Sequence, residues 1–432
     1  MGLPADHPLR LELNDEVHAR PPLPLRAPAR VTCLALLSPP SAREQEWQLL
    51  RELAAEFGVE LPPTAAPHCT MDLGPFRLKW ERHTEFSRYV FAIEGTAGAS
   101  FGRSALDDLP HGWLARLPGA VLFAAQVALV PDAQRGPVDT DRLSAVYFGG
   151  QQLVGSVIGG GSAVALTDFR VGDDGFVRML VLDRGMKPNQ AGRAVQALLE
   201  IDGYRMLALL AFPMARELSP ALGRDERELA EIARVLVAAE PRTEPELLDR
   251  LTRLQAGIER HEADHHYRFG AAEAYHAIVL RRIAQLREER VGALQTFDEF
   301  IERRVGPAMS TCVATSERLE SLSSRVARAS QLLSTRIEMT RERQNQALLE
   351  SMNQRAEAQL RLQQTVEGLS VAAITYYVAG LLNYVAKGLQ DSGLPIDPTV
   401  ATAVGVPVVA VLVWLAIRRV RRSVSVGAGS RE

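Results

Sequence analysis

The chain has 432 residues, 47% hydrophobic and 23% charged, with a formal net charge of −3. That apolar share excludes a disordered chain, the near-neutral balance excludes a dedicated nucleic-acid binder, and the length points to more than one domain. Three widely spaced cysteines, Cys33, Cys69 and Cys312, form neither a disulfide framework nor a zinc pattern, which fits a reducing compartment.

Residues 1–20 lack the apolar core of a cleaved leader, because Asp6, Arg10, Glu12, Asp15 and Glu16 are scattered through them. Prolines predict an extended backbone from Asn14 to Pro22, which puts Glu16, His18 and Arg20 on one face. That strip is a candidate ligand or subunit contact, beside the commoner reading of a charged edge. Next come predicted strands at 30–37, 76–81, 87–94, 121–130, 144–149, 152–158, 163–171 and 176–181. Ser41 is expected to cap a helix over 42–57, with Glu44 completing a capping box. Residues 1–220 therefore read as an α/β layer domain. The run Gly159-Gly160-Gly161 lacks the following helix that a dinucleotide site needs, so it reads as a hairpin turn, as does Gly172-Asp173-Asp174-Gly175.

Proline usage divides the chain: of 25 prolines only Pro307, Pro395, Pro398 and Pro407 lie beyond residue 245. Long helices are the consequence. They are expected over 198–215 and 226–239, and then over 246–305 as a hairpin broken near Gly270 or Gly292 and closed by Pro307; residues 221–306 form this helical region. No glycine or proline occurs from Ala308 to Glu367, so residues 308–368 predict a stalk. Continuous with the apolar segment that follows, it would run to Ala386 and reach roughly 118 Å. Leu319, Leu322, Val326, Ala329, Leu333 and Ile337 step along it as a packing seam. Beyond Ile337 polar residues dilute the seam, and such a helix needs other helices or identical chains for support, which predicts a homo-oligomer.

Two uncharged apolar stretches close the chain, 369–386 and 399–417, separated by residues 387–398 and followed by a basic tail at 418–432. As helices they are roughly 27 and 28 Å long, enough to cross a bilayer once each. Trp414 sits where an interfacial ring belongs. Arg355 and Arg361 precede the pair, Arg418, Arg419, Arg421 and Arg422 follow it, and the loop between holds only Lys387, so both termini are expected in the cytoplasm.

The stretch His261-Glu262-Ala263-Asp264-His265 matches H-E-x-x-H, a zinc-protease pattern. Its charged flanks and missing third ligand make a solvated helix face the preferred reading. Within the first apolar stretch, Thr375, Tyr376, Gly380 and Asn383 are candidate pore-lining residues, with Tyr384, Lys387 and Asp391 at an outer mouth. Helix packing accounts for the same residues equally well. No nucleophile elbow, phosphate loop or paired-acid spacing is found, so an enzyme, a cofactor and a metal centre are not expected.

The segments Leu11 to Pro21, Asp202 to Leu210 and Tyr267-Arg268-Phe269 resemble the bacterial membrane-anchored domain-of-unknown-function family 3422 across nearly the whole chain. More distantly, an α/β cytoplasmic domain, a helical hairpin, a stalk and two C-terminal transmembrane helices resemble the CorA-type magnesium transporters. Tyr377-Val378-Ala379-Gly380 is similar to that family's aromatic-aliphatic-Ala-Gly run. The resemblance implies a pentameric channel of the bacterial inner membrane, with the first span lining the pore and a cation as its cargo. The hallmark Gly-Met-Asn is missing, and a ring of Lys387 ammonium groups repels divalent cations, so magnesium selectivity does not carry over. A membrane-anchored cytosolic sensor or scaffold is the alternative.

Overall fold

A computed structural model describes residues 6–18, 21–63, 66–95, 101–132, 135–238, 243–392 and 397–427. Two compact units result, one of Met1–Ala239 with Pro245–Gln331 and one of Glu240–Glu244 with Leu332–Glu432.

The first unit is built on one mixed sheet. Its strands are β1 (Ala29–Leu37), β2 (His68–Asp72), β3 (Arg77–Arg82), β4 (Phe86–Glu94), β5 (Ala120–Pro131), β6 (Val154–Ile158), β7 (Ala163–Val171), β8 (Val177–Asp183) and β9 (Glu289–Arg290). Their order across the sheet is β2-β3-β4-β1-β5-β8-β7-β6-β9. Every pairing is antiparallel except that of β5 with β8. β1 is nearly all apolar and buried on both faces, as a strand covered by helices above and below must be.

Helix α1 (Arg10–His18) comes first, and α2 (Arg43–Glu56) then covers one face of the sheet. Trp47, Leu50 and Leu53 of α2 pack on Leu78, Trp80, Tyr89 and Phe91. The Trp47 and Trp80 rings lie 5.7 Å apart, and Trp113 meets Tyr89 and Phe91 edge-on while its Nε1 donates to the Leu49 carbonyl. After α3 (Thr140–Tyr147), α4 (Pro188–Leu209) carries Glu200 and Tyr204 against Arg88 on the other face. A Cβ at Gly192 would collide with the Leu23 carbonyl oxygen, so only glycine allows α4 to lie this close to that strand-leading segment.

Long helices complete the unit: α5 (Ala211–Ala238), α6 (Glu244–Leu286), the short α7 (Phe297–Arg304) and the start of α8 (Gly306–Asp391). A capping box between Thr296 and Glu299 opens α7. Arg318 of α8 forms paired 2.6 Å bonds to Glu226 of α5. Leu319, Leu322 and Val326 of the expected seam are buried. The second unit holds the rest of α8 and α9 (Pro398–Gly427).

Several expected elements differ. Residues 10–18 are helical, so the alternating strip of Glu16 and His18 does not form; Arg20 lies outside the described residues, as do the side chains of Glu16 and His18. Prolines constrain only what immediately precedes them, and the polar run before Ala19 is free to coil. The strand expected at 144–149 is α3, because Asp139 accepts a 3.0 Å bond from the Arg142 amide and starts a helix. Ser41 does not cap α2: it lies in a one-turn 3-10 helix begun by Pro40, and the cap position is Ala42. The helix expected over 198–215 is two helices, with Pro213 in the first turn of α5 where its missing N–H costs nothing. α6 passes through Gly270 unbroken, and the interruption falls at 287–296, around Gly292.

Trp47→Ala removes the centre of the α2 layer and should cost about 3–5 kcal/mol. A clear drop in the denaturation midpoint of the detergent-solubilised chain is expected; an unchanged midpoint would show that α2 does not hold the sheet.

Candidate functional site

Two places concentrate polar groups in apolar surroundings. The first is the paired apolar segments of α8 and α9. Both helices are long and apolar enough to cross a membrane by length and composition, and only 6% and 0% of the qualifying windows are buried within the chain. Leu369, Leu381, Val404 and Leu412 are each more than half exposed.

The candidate pore residues divide. Tyr376 is 76% exposed, whereas the Asn383 amide oxygen lies 3.3 Å from the Thr402 hydroxyl of α9, which also donates to the Pro398 carbonyl at 2.7 Å. Nearby the helices approach closely, since a Cβ at Gly405 would stand 3.2 Å from Leu382 Cδ1. The Thr375 hydroxyl is enclosed without a hydrogen-bond partner among the described residues, and Gly380 is half-buried. Thr402 was not singled out by sequence reasoning; its signal is a second hydroxyl, three residues after Thr399, in an otherwise apolar run.

The outer-mouth candidates Tyr384, Lys387 and Asp391 lie on α8 itself at a spacing of three and four, hence on one helical face. α8 runs five residues past the expected end of the first span, because polarity ends the apolar run without breaking the helix. At the other end of α9, the Arg418 guanidinium lies 4.9 Å from the centre of the Trp414 ring.

The second place is a buried ion network on the α4 face of the sheet. Glu81 and Arg88 are cross-strand partners on β3 and β4. Arg88 Nε donates to Glu81 at 2.8 Å, and the same guanidinium reaches Glu200 of α4 at 3.2 Å. Lys79 pairs with Glu81 at 2.9 Å and donates to the Pro21 carbonyl at 2.7 Å. Arg282 of α6 closes the network on Glu200, and Gln196 supports the same carboxylate at 2.8 Å. A neighbouring cavity of about 20 Å3, lined by Lys79, Glu81 and Arg88, has room for little more than one water.

Burial alone would raise the Glu81 carboxyl, but Arg88 and Lys79 outweigh it and hold it at about 2. Burial lowers the Lys79 ammonium despite the opposing pull of Glu81. Arg88 is raised, because Glu81 and Glu200 overcome its desolvation. Across the sheet, Glu46 of α2 takes a 2.9 Å ion pair from Arg82 and a 2.6 Å bond from Ser87. At the β3–β4 turn, Glu85 receives Arg268 and the Tyr275 hydroxyl of α6. These bonds fasten α2, α4 and α6 to two adjacent strands.

The remaining candidates are dispersed. His265 Nδ1 contacts the His261 carbonyl at 2.8 Å and its ring stacks on Phe269, so that imidazole is tied to its own helix. Among the described residues no group of three or more His, Cys, Asp or Glu is placed to hold a metal ion. Burial pushes the Cys33 and Cys69 thiols up to about 12, which leaves neither thiol nucleophilic near neutrality.

Fold and site together define a mixed α/β body, stapled by buried ion pairs and followed by two helices of membrane-crossing length. The chain belongs to the family described as protein of unknown function (DUF3422), whose pattern matches residues 5–424. No curated protein and no solved structure matches it.

Because the Glu81 carboxyl lies below its ordinary value of about 4.5, its contribution is complete above that pH and is lost as pH falls toward 2. The loss should amount to at most about 3 kcal/mol. Glu81→Gln should be less stable than the parent at pH 7 and should lack this portion of the acid slope. A parent slope retained in full by the variant would contradict the assignment.

Proposed function

We propose that this protein is a homo-oligomeric ion channel or transporter of the bacterial inner membrane, gated by its cytoplasmic body, with the architecture of the CorA-type transporters. The observation that carries the reading is α8: one helix of 86 residues begins at Gly306 beside α5 and ends beyond the apolar segment at Asp391. A rigid element of that kind transmits a displacement of the body to a membrane span.

Oligomerisation is supported by exposure along α8. Every residue from 341 to 366 is exposed, including Leu348, Leu349, Met352, Leu360 and Leu362. Apolar side chains on a solitary polar helix need a partner, and parallel copies anchored in one bilayer supply it. A pentamer is what the likeness to CorA implies. Both termini are assigned to the cytoplasm from Arg355 and Arg361 before the first span and Arg418, Arg419, Arg421 and Arg422 after the second, against the lone Lys387 between them.

Conduction would use the face of α8 bearing Thr375, Tyr376 and Gly380, with Asn383 and Tyr384 toward the mouth. Lys387 next to Asp391 gives that mouth a mixed charge, so the cargo is a cation without the divalent preference that Gly-Met-Asn confers. Neither an enzymatic activity nor a cofactor is part of this reading, and its partners are lipid, the permeating ion and further copies of the chain.

One observation favours the second reading, a membrane-anchored sensor or scaffold. The Asn383 amide oxygen faces the Thr402 hydroxyl of α9 at 3.3 Å, a polar contact turned into the hairpin, as a simple anchor requires. The two readings separate in liposomes. A channel passes a monovalent or divalent cation, and Asn383→Ala changes its rate or selectivity several-fold, by an order-of-magnitude argument from a lost coordinating dipole. An anchor leaves vesicles sealed, and Asn383→Ala only weakens the hairpin by about 1 kcal/mol. Sealed vesicles containing folded oligomer would contradict the channel.

A further inference from the structure

Beside the turn joining β6 to β7 the first unit holds an open cleft of about 510 Å3, within the roughly 300–1,000 Å3 range of small-molecule sites. Its walls include Gly159 of the turn, Met186, Gln190 and Arg193 at the start of α4, and Gln285 and Arg287 at the end of α6. Two arginines and no acidic residue line it. Elsewhere in the unit arginines such as Arg82 and Arg318 are engaged by carboxylates. Among the described residues neither Arg193 nor Arg287 has a side-chain hydrogen bond or ion pair, and both are exposed to the cleft's solvent.

Arg287 has a second peculiarity. Its φ of +51° is the left-handed conformation that ends α6, where its amide bonds the Ala284 carbonyl at 3.3 Å. Glycine takes that conformation at least cost, and a long charged side chain there is the more expensive choice. Opposite it, Gly159 takes a φ of +62°, which glycine adopts at least cost, and its amide bonds the Leu286 carbonyl at 2.8 Å. The glycine run is thus a hairpin turn, as its sequence context indicates, and also one wall of a basic cleft.

We propose that this cleft binds a phosphate-bearing small molecule of nucleotide size. Arg193 and Arg287 clamp the phosphates from two different helices, because planar guanidinium groups match phosphate oxygens in pairs. The positive end of α4 adds to that field and the carboxyl end of α6 opposes it, which leaves the two guanidinium groups as the dominant charges. Gln190 and Gln285 offer both donors and acceptors to a polar ring edge, and Met186 offers an adaptable apolar surface to its face. The site belongs to the α/β body and does not rest on ion conduction.

Titration of the full-length protein in detergent with ATP, AMP and inorganic phosphate, followed by calorimetry, tests the assignment. The expected result is one saturable nucleotide site per chain with a sub-millimolar Kd, and phosphate binding weaker by about tenfold or more. Arg193→Ala and Arg287→Gly should each weaken nucleotide binding by about tenfold or more. Without ligand, Arg287→Gly should melt at or above the parent's temperature, because glycine suits a φ of +51°; loss of binding in that variant then cannot be loss of fold. The proposal is overturned if the folded parent shows no saturable nucleotide binding at millimolar concentration, if phosphate binds as tightly as nucleotide, or if both variants bind like the parent. Sealed liposomes would remove the channel and leave this site untouched.

Discussion

The apolar surface that α8 and α9 leave uncovered constrains everything else in the chain. Leu369, Tyr377, Leu381, Val385, Val404 and Leu412 are all more than half exposed, over two helices that each pass the length and composition required of a membrane span. Soluble proteins rarely present a contiguous apolar surface of this extent to water. Under the proposed function lipid resolves the conflict, because a helix satisfies its own backbone and an apolar helix has nothing further to lose in hydrocarbon. Under the proposed function, Arg418 and Arg419 of α9, with Arg418 against the Trp414 ring, stand at a water interface.

Within the body the corresponding constraint is electrostatic. Glu81, Arg88 and Glu200 are nearly fully buried, and each is tolerable only while the others remain in place. Breaking such a network strands a charge and is costly, whereas replacing it wholesale with apolar residues often is not. Its value therefore lies in specifying arrangement: β3, β4, α4 and α6 must meet in one register for every carboxylate to find its guanidinium. Arg318 on Glu226, a partly exposed pair, adds a directional tie to the start of α8. Under the proposed function, this is the frame whose displacement the start of α8 would carry.

Much of the fold was legible because its signals are local. The hairpins around Gly159-Gly160-Gly161 and Gly172–Gly175, the strands on either side of them, and the long helix from Ala308 onward all follow from period, turn chemistry and proline placement. The expectations that differ from the structure depended on competition between local signals. Asp139 capping α3 prevailed over a short β-branched and aromatic run, Pro40 displaced Ser41 from its cap, and β2 escaped notice because His68–Asp72 has only one buried residue. The site was less legible. Arg88 and Glu200 are 112 positions apart, and nothing in their immediate neighbours announces that they meet. Asn383 was visible as a polar residue in an apolar run, but its bond to Thr402 depends on how two helices face each other.

The central claim is that α8 and α9 integrate into lipid. Washing membranes of expressing cells with alkaline carbonate and floating them on a sucrose gradient tests it most directly. The account predicts that the full-length chain rises with the lipid after the wash. Recovery in the carbonate supernatant as a folded, dispersed protein would contradict it.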